Sequence, residues 1–340
     1  MQLEDPHFDE FVNALENAFG GLPAVYKLGP GVFYVFCGAK KKNEGEEVNA
    51  EKEGVAADGK GDSDEGECVA AQNPANPNSN SDKPMLQILY YPTTVMNRIS
   101  KESLEAYFKE QEILYKNILN IYHIDEDAWI HRPHWVLSRL KIKAGQAKKI
   151  FARNTVVARI DKKRAMEFQN AHHSMVPLPG KFRYGLYHKG DLVSIAVFST
   201  GRTMKFKGDQ YRSFELLRTC HKQGLIVVGG LSKLIHYFEE QHHPNDVMTY
   251  VDKDWSDGLS FQAIGFEAVE ETEPQSFWID QNHQIRYTAF DLPTEWKEKL
   301  QANMHALTES GIFPKRNSGS IKLVKKNKIT TLGGDLNQKL

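Results

Sequence analysis

Apolar side chains recur at Phe8, Phe11, Val12, Leu15 and Phe19, the spacing of one helical face, between an opening Asp5-Pro6 and a closing Gly20-Gly21. The rhythm then changes. Residues 25–37 read as one or two strands around Gly29-Pro30-Gly31, and residues 85–91 as another. A helical stripe returns over 100–119 through Leu104, Phe108, Ile113, Leu114 and Ile118. Residues 125–140 surround Pro133, which disfavours a regular helix there. Further on, 165–173 predicts a helix, and 184–187 with 192–198 predict a hairpin turning at Lys189-Gly190-Asp191. Residues 214–220 read as a strand. A helix follows over 231–239, with Leu231, Leu234, Ile235 and Phe238 on one side. A strand at 246–250, a short helix over 255–264 ended by Gly265, and a strand from 267 complete the pattern. Strands and helices interleave, so the fold class is α/β with a mixed sheet.

One stretch breaks the pattern. Residues 40–83 are rich in Glu, Asp, Lys, Gly, Asn, Ser and Pro. Such a segment buries too little apolar surface to offset its ordering entropy, and is read as a disordered insertion. This divides the chain into a small α+β unit (1–39 plus 84–140) and a second unit over 150–328.

Composition narrows the function classes. The chain has 340 residues, 40% of them hydrophobic, which suffices for packed cores. Its formal net charge is −1, so any nucleic-acid surface must come from local segregation of charge. Cys37, Cys68 and Cys220 lack metal-ligand spacing, which points to a reduced, cytoplasmic setting rather than a disulfide framework. No apolar run approaches the length of a membrane helix, so no membrane partner is expected. His131 and His134 lie three apart but lack further ligands, and no metal is assigned.

The chemistry concentrates at Val228-Gly229-Gly230-Leu231-Ser232-Lys233. Glycines entering a helix let backbone approach a ligand, and the first helical N–H groups with the helix dipole suit a phosphate or pyrophosphate. Ser232 can cap the helix or bond an anion, and Lys233 can add charge. A plain turn is the competing reading of the same glycines.

The order strand, glycine loop, helix, strand, helix ending in Gly265-Phe266, strand resembles the GNAT acyltransferase superfamily, whose glycine loop holds the pyrophosphate of acetyl-CoA. The likeness extends through Phe151-Ala152-Arg153-Asn154, Asn170-Ala171-His172-His173, Tyr184-Gly185-Leu186-Tyr187, Phe214 to Cys220, Val227 to Leu234, and Thr249-Tyr250-Val251-Asp252 running on to Trp255. Over roughly 150–326 the chain is similar to a GNAT-like module of phages and mobile elements, related to the phage Mu Mom DNA-modification protein and also found attached to homing endonucleases. The fuller superfamily loop pattern is only partly present. The resemblance implies a GNAT-like fold preceded by the small α+β domain, acetyl-CoA or a related acyl-CoA as cofactor, and DNA as partner.

Acyl transfer to an amine needs a base and an oxyanion-stabilising dipole. Asp252 leads the candidates for the base, by its place at the end of a strand and its match to the family's segment. His172, a loop histidine that titrates near neutrality, is second, and Glu215 third. Glu215 and Arg218 differ by an odd number, so a regular strand turns them to opposite faces. A metal set of His172, Glu215 and Asp252 is conceivable but not committed. Basic residues flank the module. Arg139 to Arg164 is a basic stretch whose lysines and arginines face only Asp161, and Lys315 to Lys328 read as a basic tail. Arg153, Lys162, Lys163, Arg202, Lys322 and Lys325 are the candidate phosphate contacts.

Three functions stand open: transfer of an acyl or acyl-derived group to a nucleobase amine of DNA, a non-catalytic DNA-binding accessory, and an acetyltransferase acting on protein or a small molecule. No HNH or GIY-YIG nuclease motif is present.

Overall fold

The computed structural model describes residues 6–21, 23–28, 32–37, 86–93, 121–207, 211–302 and 304–327. The insertion at 40–83 with Cys68, the helix expected over 100–119, and Lys328 lie outside them.

The first unit begins with α1 (Pro6–Phe19), followed by β1 (Ala24–Leu28), β2 (Val32–Cys37), β3 (Leu86–Tyr91) and β4 (Ile121–Asp125). These form a sheet in the order β1-β2-β3-β4. Phe8, Phe11, Leu15 and Phe19 are buried against Phe33, Val35, Ile88 and Tyr90. That is the one-face burial their spacing predicts. Then come α2 (Glu126–His131) and α3 (Pro133–Lys143). Pro133 breaks the run at Arg132 but then opens α3 at its first position, where a missing N–H costs nothing. As expected, no single regular helix runs through Pro133: the segment forms two helices parted at Arg132.

The second unit contains β5 (Lys148–Phe151), a 3-10 turn at Ala152–Asn154, β6 (Val156–Arg159) and α4 (Lys162–His172). Asp161 caps α4 by accepting from Arg164 N. Next are β7 (Phe182–His188), β8 (Asp191–Phe198), β9 (Arg202–Thr203), β10 (Arg212–His221), β11 (Leu225–Val228) and α5 (Gly230–His242). The chain continues through β12 (Asp246–Asp252), α6 (Leu259–Gln262) and β13 (Glu267–Glu271). It ends with β14 (Ser276–Asp280), β15 (Ile285–Tyr287), α7 (Thr294–Ala302), α8 (Met304–Glu309), β16 (Ile312–Arg316) and β17 (Ser320–Lys326).

The main sheet runs β13-β17-β12-β10-β8-β7-β6. Its neighbours are antiparallel except β10 and β12, which are parallel. β8 is buried on both faces, which explains its nearly continuous apolar run. On one side α5 packs Leu234, Ile235 and Phe238 against Phe198, Phe214 and Leu216, with Phe198 and Phe238 stacked 3.8 Å apart. On the other, α4 packs Ala165 and Phe168 against Ile195 and Val197.

Two expectations are corrected. The helix over 255–264 is confined to Leu259–Gln262, because Gly258 precedes it in the left-handed region at φ 76°. The basic tail is not a tail: Ser320–Lys326 is β17, an inner strand between β12 and β13. The chain segment connecting β13 to β17 forms a separate three-stranded sheet, β15-β14-β16, with a core of Trp278, Leu292, Leu307 and Ile312.

Candidate active site

β10 and β12 pair only over Ser213↔Asp246, Phe214↔Val247 and Glu215↔Met248. Thr249 Oγ1 then donates to Leu216 O at 2.9 Å. Beyond that point the strands part. β10 follows β8 to His221↔Ser194, while β12 follows β17 to Asp252↔Ser320. A wedge therefore opens between their carboxyl ends, where ligands of open α/β sheets gather.

At the apex β10 carries a bulge. Leu216 faces Phe198 in the ladder and Arg218 faces Val197, so Leu217 stands outside it. Phe198 belongs to the α5-side core and Val197 to the α4-side core. The extra residue thus brings Arg218 to the same face as Glu215, overturning the parity expectation. Arg218 is spent on backbone: its guanidinium donates to Leu217 O at 2.7 Å and Val176 O at 3.3 Å.

The glycine loop opens α5, with Gly230 lying against Val227 of β11 and Leu186 of β7. Gly229 caps α5 at φ 75°, a left-handed conformation natural to glycine. Val228, Gly229 and Ser232 are exposed, so the amino end of α5 faces solvent. Gly230 has a packing role: a Cβ there would lie 2.9 Å from Val227 Cβ and 3.2 Å from Leu186 Cδ1. Leu231 packs against the α5-side core. Lys233 turns away from the helix mouth. Its ammonium donates to Ala152 O at 2.9 Å and Thr155 O at 2.5 Å, pinning the 3-10 turn. Its expected role as an extra charge for the anion is corrected on that ground.

α3 faces the open end of the wedge. Ser138 Oγ accepts from Gly224 N at 2.8 Å, just after β10. Trp135 meets Trp255 edge-on at 5.0 Å, just after β12. His123 N donates to Asp254 O at 3.2 Å. Arg139 lies on this bridging helix with its Nε buried and without a partner. Burial pushes its pKa down, opposed by Cys220, Tyr122 and Asp252.

That guanidinium marks the electrostatics of the region. Burial, helped by Arg139, brings His221 down to about 4, while its Nδ1 shares a 2.9 Å hydrogen bond with Ser194 Oγ. Burial with Arg218, Arg139 and Arg132 brings His173 to about 3. Burial pushes the Cys220 thiol up to about 12.

Asp252 ends β12, half-buried, with Oδ1 accepting from Asp254 N at 2.9 Å. Burial raises its pKa above the ordinary carboxylate value. Asp254 rises to about 7 through burial and the neighbouring charge of Asp252. His172 closes α4 with its ring edge-on to Phe168 at 4.4 Å, and its pKa is lowered, first by burial. Glu215 lies 3.6 Å from exposed Arg202. Among the described residues no group of three or more His, Cys, Asp or Glu could hold a metal, so His172, Glu215 and Asp252 are not brought together as a ligand set.

Of the phosphate-contact candidates, Arg153, Lys162 and Lys163 are exposed. Tertiary pairing gives others the acids their local sequence lacks: Lys322 lies 2.9 Å from Glu270 and Lys325 2.8 Å from Glu239. Arg139 opens the basic stretch of the sequence, but its lowered pKa, like the shifts of Asp254 and His221, carries no local signal, because the neighbours that cause it come from distant segments.

No protein-family model matches the chain, and no curated protein matches it. Several solved acetyltransferase structures align with about half of it. Arabidopsis thaliana Naa50, in complex with the bisubstrate analogue CoA-Ac-MVNAL, aligns at a TM-score of 0.32 and 10% identity, covering 51% of this chain and 99% of that one. A GNAT family acetyltransferase from Elizabethkingia anophelis with acetyl-CoA bound gives 0.28 and 8%, covering 51% and 99%. The ribosomal-protein-S18-alanine N-acetyltransferase from Escherichia coli gives 0.31 and 9%, covering 51% and 93%. No helix among the described residues is long and apolar enough to cross a membrane.

Proposed function

We propose that this chain is an acyl-group transferase that takes a CoA-type donor and delivers the acyl group to an amine, the acceptor being a nucleobase amine of DNA. The observation that carries the reading is the parting of β10 and β12 in a sheet whose covering helix, α5, has a glycine-capped, solvent-facing amino end. The loop suits the donor's pyrophosphate: the first helical N–H groups face outward beyond a glycine cap held at φ 75°. Gly229, Gly230, Leu231 and Ser232 would hold it through backbone and hydroxyl. A bound acyl-CoA supplies an activated thioester carbonyl.

The chain's own residues supply the rest. Leu217, outside the ladder at the wedge apex, offers backbone where an oxyanion would need a donor. Asp252, with its pKa raised by burial, is the base for the amine proton. His172, its pKa lowered, stands second as a neutral base. Exposed Arg153, Lys162 and Lys163 support a nucleic-acid acceptor through phosphate contacts. A base within a duplex does not reach such a wedge, so the acceptor is flipped or single-stranded.

Calorimetric titration with acetyl-CoA tests the donor. Micromolar binding is expected, and no binding to folded protein overturns it. Incubation with labelled acetyl-CoA and single-stranded DNA, read by mass spectrometry of the nucleosides, tests the acceptor. Label on a peptide amine but not on DNA refutes the nucleobase.

A further inference from the structure

A cavity of about 370 Å³ opens at the amino end of β11, on the side of the β7–β8 hairpin. Ile150, Val193 and Leu225 line it with aliphatic surface, two of them buried. Lys148, Lys189 and Lys222 also line it, and Asp191 is the one carboxylate among its lining residues. Three ammonium groups therefore face one acid across an apolar surface. That combination suits a ligand with a phosphate and a flat, weakly polar body, and the size falls in the range of small-molecule sites, about 300–1,000 Å³.

The three lysines come from separate places. Lys148 begins β5, paired in parallel with Leu225 of β11. Lys222 follows β10 and is held by its own N–H donating to Val193 O at 2.9 Å. Lys189 sits in a two-residue hairpin turn closed by His188↔Asp191, with φ 50° at Lys189 and 88° at Gly190. Such turns favour Asn-Gly; a lysine at the first position is strained and sets an ammonium on the cavity's rim. His188, also lining the cavity, donates from Nδ1 to Asn154 O at 2.9 Å, which leaves Nε2 as an acceptor in the neutral ring.

We propose that this cavity is a nucleotide site. The aliphatic surface takes the base or sugar, and the lysines take the phosphate. It is distinct from the α5 loop but adjoins it: none of Val228 to Lys233 lines it, while lining Ile150 pairs with Val227, the residue before Val228. The proposal does not depend on the acyl-transfer reading.

The test uses the full chain and titrates thymidine monophosphate, thymidine, inorganic phosphate and a short oligothymidylate. Thymidine monophosphate binding at least about tenfold tighter than either thymidine or phosphate is expected, because both halves of the cavity contribute. The exposed-lysine double variant Lys148→Ala, Lys222→Ala should lose about tenfold or more of that affinity, while Lys181→Ala, outside the cavity, keeps it. Oligothymidylate binding tighter than the monophosphate, and equally sensitive to the double variant, identifies a unit of a single strand as the ligand. The reverse order identifies a free nucleotide. Acetyl-CoA affinity, read in parallel, should be unchanged in the double variant, and a parallel fall overturns the separation of the two sites. Monophosphate no tighter than inorganic phosphate, or unaffected by the double variant, overturns the nucleotide site.

Discussion

Ser232→Asp separates the two things the amino end of α5 can do. Gly229 is the cap, so Ser232 is the third helical residue; it is exposed, and the first turn holds no acid. A carboxylate there meets the positive end of the helix dipole and should stabilise the fold by about 0.3–1 kcal/mol. For a protein of this size that raises the melting temperature by about 0.5–1.5 °C. The same carboxylate would stand within a few ångströms of a phosphate bound at those N–H groups. Two unit charges about 4 Å apart repel by about 1 kcal/mol in water and about 4 kcal/mol at an effective dielectric of 20. At an exposed site the lower half of that range applies, about 1–2 kcal/mol, or roughly 5- to 30-fold in affinity. Calorimetry with acetyl-CoA at low salt should show that loss, and the loss should shrink near 1 M salt, where the Debye length is about 3 Å. Stability and affinity thus move in opposite directions, which no unfolding artefact produces. Unchanged acetyl-CoA affinity in a variant of raised stability would refute the placement of the pyrophosphate on α5.

Three other substitutions test the packing and electrostatics. Gly230→Ala should cost about 1–3 kcal/mol by overpacking against Val227 and Leu186, read from the denaturant midpoint; an equal or higher midpoint contradicts the packing role. Arg139→Met removes a buried guanidinium whose Nε has no partner, and should raise stability by about 1–3 kcal/mol while His221 and His173 titrate at higher pH by NMR; a fall in stability would mean that Arg139 has a compensating partner. Asp254, raised to about 7 in the fold, binds more protons folded than unfolded between its ordinary value of 3.8 and 7. Its contribution to stability is therefore full below about pH 4 and is lost as pH rises through about 7. Asp254→Asn should flatten that decline in a pH series of denaturant midpoints, and an unchanged slope would rule Asp254 out as its source.

Local pattern carried the elements where side-chain spacing alone decides burial. α1 shows its face in Phe8, Phe11, Leu15 and Phe19, and the hairpin of β7 and β8 is bounded by its turn residues. Gly229 at the head of α5 was legible because a left-handed cap favours glycine and leaves a helix end open. Where an outcome depended on partners far along the chain, the same reading fell short. Lys322 and Lys325 have no acidic neighbours in sequence, yet β17 enters the sheet and meets Glu270 and Glu239. Lys233 follows the glycines like a phosphate ligand, and only the fold brings Ala152 and Thr155 to its ammonium. Strand parity put Glu215 and Arg218 on opposite faces until one extra residue, Leu217, shifted the register.

Sequence by itself therefore determined the amphipathic elements, their order and the glycine-capped helix, because these rest on backbone preference and on periods of two and 3.6 residues. Tertiary structure alone decided the wedge, the burial of Arg139 and the raised pKa of Asp252 and Asp254. Each of these arises where β10, β12 and α3, distant in the chain, exclude water from the same charged groups.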